Sequence, residues 1–257
     1  MINLTIPLYP YIPTGNVFQW ESPFITEDIA TYEKNAARLF YISMGSSTGT
    51  RLLSPGLVFH QGDRIIDVAL EKLLNRYATI LKIPKKENEV ITANEIEFAF
   101  SNYSPHLSDG IILATGWGDN QKWKTLGENF SIQSPSLSIE AATLLMEKMK
   151  EIQSDFLLTD CFYLDNLSNN FVNQNWLSQP SWIRLPWPSE MAKAYLRTNT
   201  NFKLHKTWEV TSKLLEEIWV VAGLANCGSL SSPRPKISCV PMFIENAGEA
   251  PCTVVAE

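Results

Sequence analysis

Three histidines, His60, His106 and His205, stand far apart in the chain, with no H-E-x-x-H pair and no paired C-x-x-C. A catalytic zinc takes three protein ligands from His, Cys, Asp and Glu and keeps one position open. A hard, oxygen-ligated metal needs a carboxylate cluster. No run of this sequence offers either, and no cofactor is expected. The polar groups left as candidates for catalysis are Ser47, Arg51 and His60. Arg51 presents a fixed, forked donor suited to a carboxylate, enolate or phosphate. It suits equally a structural salt bridge to Asp160 or Asp165. Ser47 needs an adjacent base to act as a nucleophile; none is visible nearby, which favours a loop hydrogen-bonder. His60 suits a general base or, following the apolar run Leu57-Val58-Phe59, a structural residue.

The elements that must position these groups alternate between strand and helix. Residues 2–9 and 39–45 read as strands, the second feeding into Ser47-Thr48-Gly49-Thr50. Asp63 is placed to cap a helix over Ile65–Leu74, whose apolar residues recur with helical period. Tyr77–Ile83 reads as a buried strand. Thr92, with Glu95 three residues on, is a capping-box signature for a helix to about Phe100. Ile111–Thr115 is the near-continuous apolar run of a strand covered on both faces. Ser138–Ile152 is amphipathic, Asp155–Thr159 a further strand, Thr207–Glu217 a helix and Ile218–Ala222 a strand. Two more strands are expected over 236–244 and 252–256. Asp160 then sits at the C-terminal end of a strand, where α/β sheets present functional groups.

The length fits one large α/β domain or two small ones, and with no linker rich enough to divide the chain a single domain over 1–257 is expected. The 257 residues are 45% hydrophobic and 19% charged, enough for an ample core. A net charge of −6 argues against nucleic acid or an anionic membrane as partner. No apolar run reaches the roughly 20 residues of a membrane helix, and the N-terminus lacks the pattern of a signal peptide. Cys161, Cys227, Cys239 and Cys252 lack the spacing of a disulfide framework. The expectation is a cytoplasmic chain with reduced thiols. One stretch stands out, at 161–206, where Trp176, Trp182 and Trp187 alternate with asparagines and prolines. A long excursion with so little periodicity suits a lid or binding loop, with aromatic rings for a small-molecule pocket. The same tryptophans suit a subunit interface.

Ser47-Thr48-Gly49-Thr50-Arg51-Leu52-Leu53 resembles the H-T-G-T-H-x-D loop of the cyclase family, which includes kynurenine formamidases and isatin hydrolases. Further blocks are similar to that family's in order and spacing: Asp109–Trp117, Ser138–Ala142, Leu157–Asp165, Leu214-Leu215, Gly223–Asn226, Pro241–Ile244, Gly248–Pro251 and Val254–Ala256. The resemblance implies a swivelling β/β/α fold, an α/β single domain with a mixed central sheet. It also implies which residues are missing. The two His and the Asp that hold the family's divalent metal fall on Ser47, Arg51 and Leu53. The catalytic His falls on Leu57, the His of the late helix at or near Val210, and the Glu before L-x-N-L on Ala222. A slip in register would put His60 in place of Leu57 and would still build no metal site. Trp117 and Trp123 fall where the family keeps aromatics near the cavity mouth. Phe18 and Trp20 fall in an N-terminal segment that, in the family, helps close a neighbour's site, so a homodimer or larger homo-oligomer is expected. Two functions follow from a family pocket without its metal. One is a metal-independent enzyme that cyclises, dehydrates or isomerises a small organic, anionic or aromatic biosynthetic intermediate. The other is a catalytically silent binding or partner subunit.

Overall fold

Apolar residues of one strand after another divide between two faces, and the fold is the consequence. The computed structural model describes residues 1–9, 12, 24–127, 129–167 and 208–257. Phe18, Trp20, His205 and the tryptophans of the 161–206 excursion lie outside the described residues. The strands are β1 (Ile2–Asn3), β2 (Ile25–Ala30), β3 (Leu39–Ser43), β4 (Arg51–Leu53), β5 (Arg76–Lys82), β6 (Val90–Ile91), β7 (Gly110–Ala114), β8 (Ser136–Leu137), β9 (Phe156–Thr159), β10 (Trp219–Ala222), β11 (Lys236–Pro241) and β12 (Glu249–Ala256). The helices are α1 (Tyr32–Asn35), α2 (Ala93–Tyr103), α3 (Lys122–Thr125), α4 (Asn129–Ile132), α5 (Ile139–Glu151) and α6 (Glu209–Leu215).

The main sheet runs β1-β12-β11-β5-β7-β9-β10-β4, and β12 also pairs with β4, so all but β1 close into a barrel. Its spine, β5-β7-β9-β10, is parallel and buried almost throughout, as expected for parallel strands covered on both faces. The remaining barrel pairings are antiparallel. Alternation puts Leu52, Ile112, Leu158 and Val221 inside the barrel with Ile80, Cys239 and Val254. Their neighbours Leu53, Ile111, Leu157 and Val220 face outward against α2, α5 and α6. A third, aromatic cluster caps one end, built from Trp117, Trp123, Phe130, Phe162 and Tyr163. All four cysteines are free and buried.

Local chemistry explains most boundaries. Thr92 accepts from the Glu95 N–H and Glu95 reaches back to Thr92 N, a complete capping box opening α2. Ser138 caps α5 through the Ala141 N–H. The expected helix over 65–74 is instead two short 3₁₀ turns, Ile65–Asp67 and Leu70–Lys72. The Ile65 N–H is taken by the Ala247 carbonyl and the Leu73 carbonyl by Cys239 N–H. Those bonds anchor the two turns from outside, and Val68 and Ala69 between them are extended, which interrupts any intrahelical ladder. Asp63 caps nothing; Asp67 accepts from the Arg64 N–H instead.

Candidate active site

The Thr-Gly-Thr loop is fastened to the C-terminal end of the parallel spine by one hydroxyl. Thr50 Oγ1 donates to the Gly223 carbonyl at 2.6 Å and accepts from the Ile6 N–H at 2.9 Å. Gly49, at φ +70°, makes the turn; a Cβ there would lie 2.8 Å from a Leu8 methyl. Beside the loop, Asp160 at the end of β9 accepts from Thr115 N–H and Thr115 Oγ1, each at 2.8 Å, and from Gly118 N–H. Burial pushes the Asp160 carboxyl up despite these donors. It orders the turn after β7 rather than facing a ligand.

Arg51 opens β4 with a side chain only 3% exposed, its Nε 3.2 Å from Glu249 Oε2. Its Nη2 donates to the Phe162 carbonyl at 2.8 Å. The guanidinium lies 4.4 Å from the Phe162 ring centroid and 4.9 Å from that of Tyr163. Of the two expected roles, the geometry carries the ion pair, but its partner is Glu249. Asp160 serves the turn just described, and Asp165 accepts from Val210 N–H, Thr211 N–H and Thr211 Oγ1 at the start of α6. Burial raises the Glu249 carboxyl, and Arg51 with Ser46 pulls the other way.

Four positions that the family resemblance assigns to metal or acid/base chemistry share one apolar layer. Leu53, Val210 and Ala222 belong to the buried cluster outside the barrel, and Leu57 packs against it. They present hydrocarbon. The donor set does not fit a divalent ion, and no group of three or more His, Cys, Asp or Glu able to hold one occurs among the described residues. Ser47 is buried on the loop. His60 sits in an exposed turn, where its carbonyl accepts from Arg64. No described hydrogen bond joins Ser47 to His60.

Trp117 and Trp123 belong to the aromatic cap. Trp117 stacks on Phe130 at 5.5 Å, Phe130 meets Phe162 edge-on at 6.0 Å, and Phe162 meets Tyr163 at 5.0 Å. Trp117 Nε1 donates to the Phe130 carbonyl at 3.0 Å. Trp123 Nε1 is buried with no acceptor among the described residues. Phe130, Phe162, Tyr163 and Glu249 were not foreseen as site residues. The Gly248–Pro251 block held the signal for Glu249, because a lone acid between small residues in a buried strand needs a cation.

The family model described as "Putative cyclase" matches residues 2–166. No curated protein matches the sequence. Among solved structures, isatin hydrolase A from Ralstonia solanacearum superposes with TM-score 0.68 at 17% identity, covering 99% of this chain and 90% of its own. An isatin hydrolase bound to the product analogue thioisatinate gives 0.69 at 13%, covering 100% and 92%. A predicted metal-dependent hydrolase from Bacillus stearothermophilus gives 0.63 at 14%, covering 99% and 96%. These likenesses extend over the barrel, its helices and the cap alike.

Proposed function

We propose, from the premise that this chain belongs to the cyclase family, that it acts on a small organic molecule without a metal. The observation that carries this reading is the apolar cluster holding Leu53, Leu57, Val210 and Ala222. A dication there would face carbon beside a buried guanidinium, and an unliganded buried charge costs far more than such a site returns. Hydrolysis by metal-activated water is therefore outside the reading.

The remaining groups can shape and polarise. Aromatic faces hold flat molecules, and the unpartnered Trp123 N–H is a buried donor for negative charge developing on an oxygen. Cyclisation, dehydration and isomerisation of a preorganised intermediate need no more than that. Solved structures of this fold are described as holding thioisatinate and benzyl benzoate, which makes small ring compounds the class to try first. The working unit is taken to be a homodimer or larger homo-oligomer, with neither nucleic acid nor membrane as partner.

A second reading, the silent binding or partner subunit, is favoured by one observation. Arg51 is spent on Glu249 and Phe162 and His60 is exposed, with no described hydrogen bond between it and Ser47. Elemental analysis and thermal shift test the first premise: less than stoichiometric zinc or manganese, no stabilisation by either, and no hydrolysis of isatin are expected. About one zinc per chain resisting chelator would overturn it. A ring compound bound and converted supports the enzyme; one bound and returned unchanged supports the silent subunit.

A further inference from the structure

Strand β12 changes partner along its length. Its last residues pair with β1 and its first with β4. Between the two pairings the N-terminal segment leaves β12 after Thr5, which exchanges hydrogen bonds with Val254. It crosses to the Thr-Gly-Thr loop, where the Ile6 N–H meets Thr50 Oγ1. The crossing leaves a groove of about 470 Å³, lined by Ile6, Pro7 and Leu8 on one side and by Val240, Pro241 and Met242 on the other. That volume lies within the roughly 300–1,000 Å³ of small-molecule pockets.

No residue lining the groove is charged. Carboxylates, phosphates and cations are therefore poor occupants, since nothing there offsets their lost hydration. Most of its hydrogen-bonding groups are already used. Pro7, Pro241 and Pro251 bring no N–H, and the N–H groups of Met242 and Cys252 go to the Pro251 and Thr50 carbonyls. The Thr5 and Thr50 hydroxyls are bonded as well. An added peptide strand needs a row of main-chain donors, and this lining does not supply one. It supplies hydrocarbon: Leu8, Val240 and Met242 are 39–53% exposed, and a methionine adapts to irregular apolar shapes. Asn3 and Thr253, both exposed, add uncharged polar groups.

We propose that this groove is a regulatory site for an uncharged, largely apolar small molecule, acting on the candidate active site through the wall they share. The proposal rests on the reading above only for where the signal goes. The wall is the segment Ile6–Leu8, and its other side holds the loop. Ile6 N–H lies 2.9 Å from Thr50 Oγ1, and a Leu8 methyl sits so close to Gly49 that a Cβ there would be 2.8 Å away. Arg51 follows directly. A molecule seated against Ile6 and Leu8 binds best when that wall is closed on the loop, so it favours the arrangement in which loop and Arg51 are held.

The test uses the full-length chain with carbon-13 in its methionine methyls. The probe is the uncharged dye phenylnaphthylamine, and its sulfonated relative anilinonaphthalene sulfonate is the charged comparison. Phenylnaphthylamine should shift the Met242 signal saturably and leave Met146 and Met149, in the core against α5, unmoved. Met44, packed on the aromatic cap, should move with the same midpoint, and should stop moving in Met242→Asp. By dye fluorescence, Met242→Asp should weaken binding about 10-fold or more, because its carboxylate must lose water beneath the dye. Phe98→Asp, exposed on α2, should bind as the native chain does. Thr253→Asp, also at an exposed position, gives the same reading should Met242→Asp fail to fold. A Met242 signal that stays still while dye binds, unchanged affinity in the folded groove variants, or equal binding of the two dyes overturns the site. A moving Met242 with a still Met44 overturns its regulatory role. None of these results depends on metal content or turnover, which test the reading above separately.

Discussion

Arg51 and Glu249 are held at 3.2 Å with the arginine side chain 3% exposed, so removing one partner leaves the other as a buried, uncompensated charge. Arg51→Ala should cost about 3–5 kcal/mol by that argument, read as a lower denaturant midpoint. Arg51→Lys keeps the charge but loses the fork and the ring stacking, and about 1–3 kcal/mol should go with them. The deficit has a pH signature. Burial raises the Glu249 carboxyl above its ordinary 4.5, and Arg51 opposes that rise. Without Arg51 the carboxyl rises further, so its ionised form costs the variant more than the native chain. The gap in melting temperature between native and Arg51→Ala should be full near neutrality. It should narrow as pH falls through the raised range toward 4.5; a constant gap would mean that Glu249 is not the group involved. Thr50 gives a cleaner case: Thr50→Val keeps the shape while orphaning the Ile6 N–H and the Gly223 carbonyl. About 1–3 kcal/mol per orphaned group is expected. Such pairings were only half legible in the sequence. Arg51 announced a partner, but the candidates nearest in motif, Asp160 and Asp165, are already taken by backbone and threonine donors, and the true partner comes from the opposite end of the chain.

Helix α6 is tied down at its start by a carboxylate from the other side of the undescribed stretch. Asp165 accepts from Val210 N–H at 2.8 Å and from Thr211 N–H at 3.1 Å, groups a helix leaves without internal partners, at the end where its dipole favours negative charge. Asp165→Ala should cost about 2 kcal/mol, the upper range for losing a cap, and Asp165→Asn less, by urea denaturation. An equal loss in both would mean that the charge rather than the acceptor geometry holds the helix. Elements fixed by their own neighbours were the readable ones. The Thr92–Glu95 box and Ser138 place α2 and α5 to within a few residues. Elements fixed from afar were not. Residues 65–74 have helical period but are interrupted by extended Val68 and Ala69 and anchored at their ends by Ala247 and Cys239, and β4 is a strand only because β10 and β12 pair with it. That Leu53, Leu57, Val210 and Ala222 share one apolar layer is invisible to periodicity, since ordinary core residues look the same. Only the family resemblance marked those positions as a former site.

At the scale of the molecule, stability depends on how the barrel's outer connections are stitched to its spine. Asp155, just before β9, takes Lys72 Nζ at 2.9 Å and Arg76 Nη1 at 2.8 Å. Burial alone would raise its carboxyl, yet those two donors outweigh burial and hold it below 3.8. A lowered carboxylate adds stability above its unfolded value and loses it as pH falls through the folded one. Native and Asp155→Asn chains should therefore differ by no more than about 1 kcal/mol near pH 7. The difference should vanish in acid below the folded value; a difference growing in acid would reverse the assignment. The buried thiols have a use of another kind. Cys161 and Cys227 sit at the ends of β9 and beyond β10, Cys239 and Cys252 in β11 and β12, and burial raises the thiols of Cys161, Cys227 and Cys252. An alkylating reagent can reach such sulfurs only when the wall around them parts. The chain thus carries its own opening clock. Labelling rates at Cys161 and Cys227 time the loosening of the site end, those at Cys239 and Cys252 time the parting of the antiparallel wall, and comparing them tells which side of the barrel gives way first.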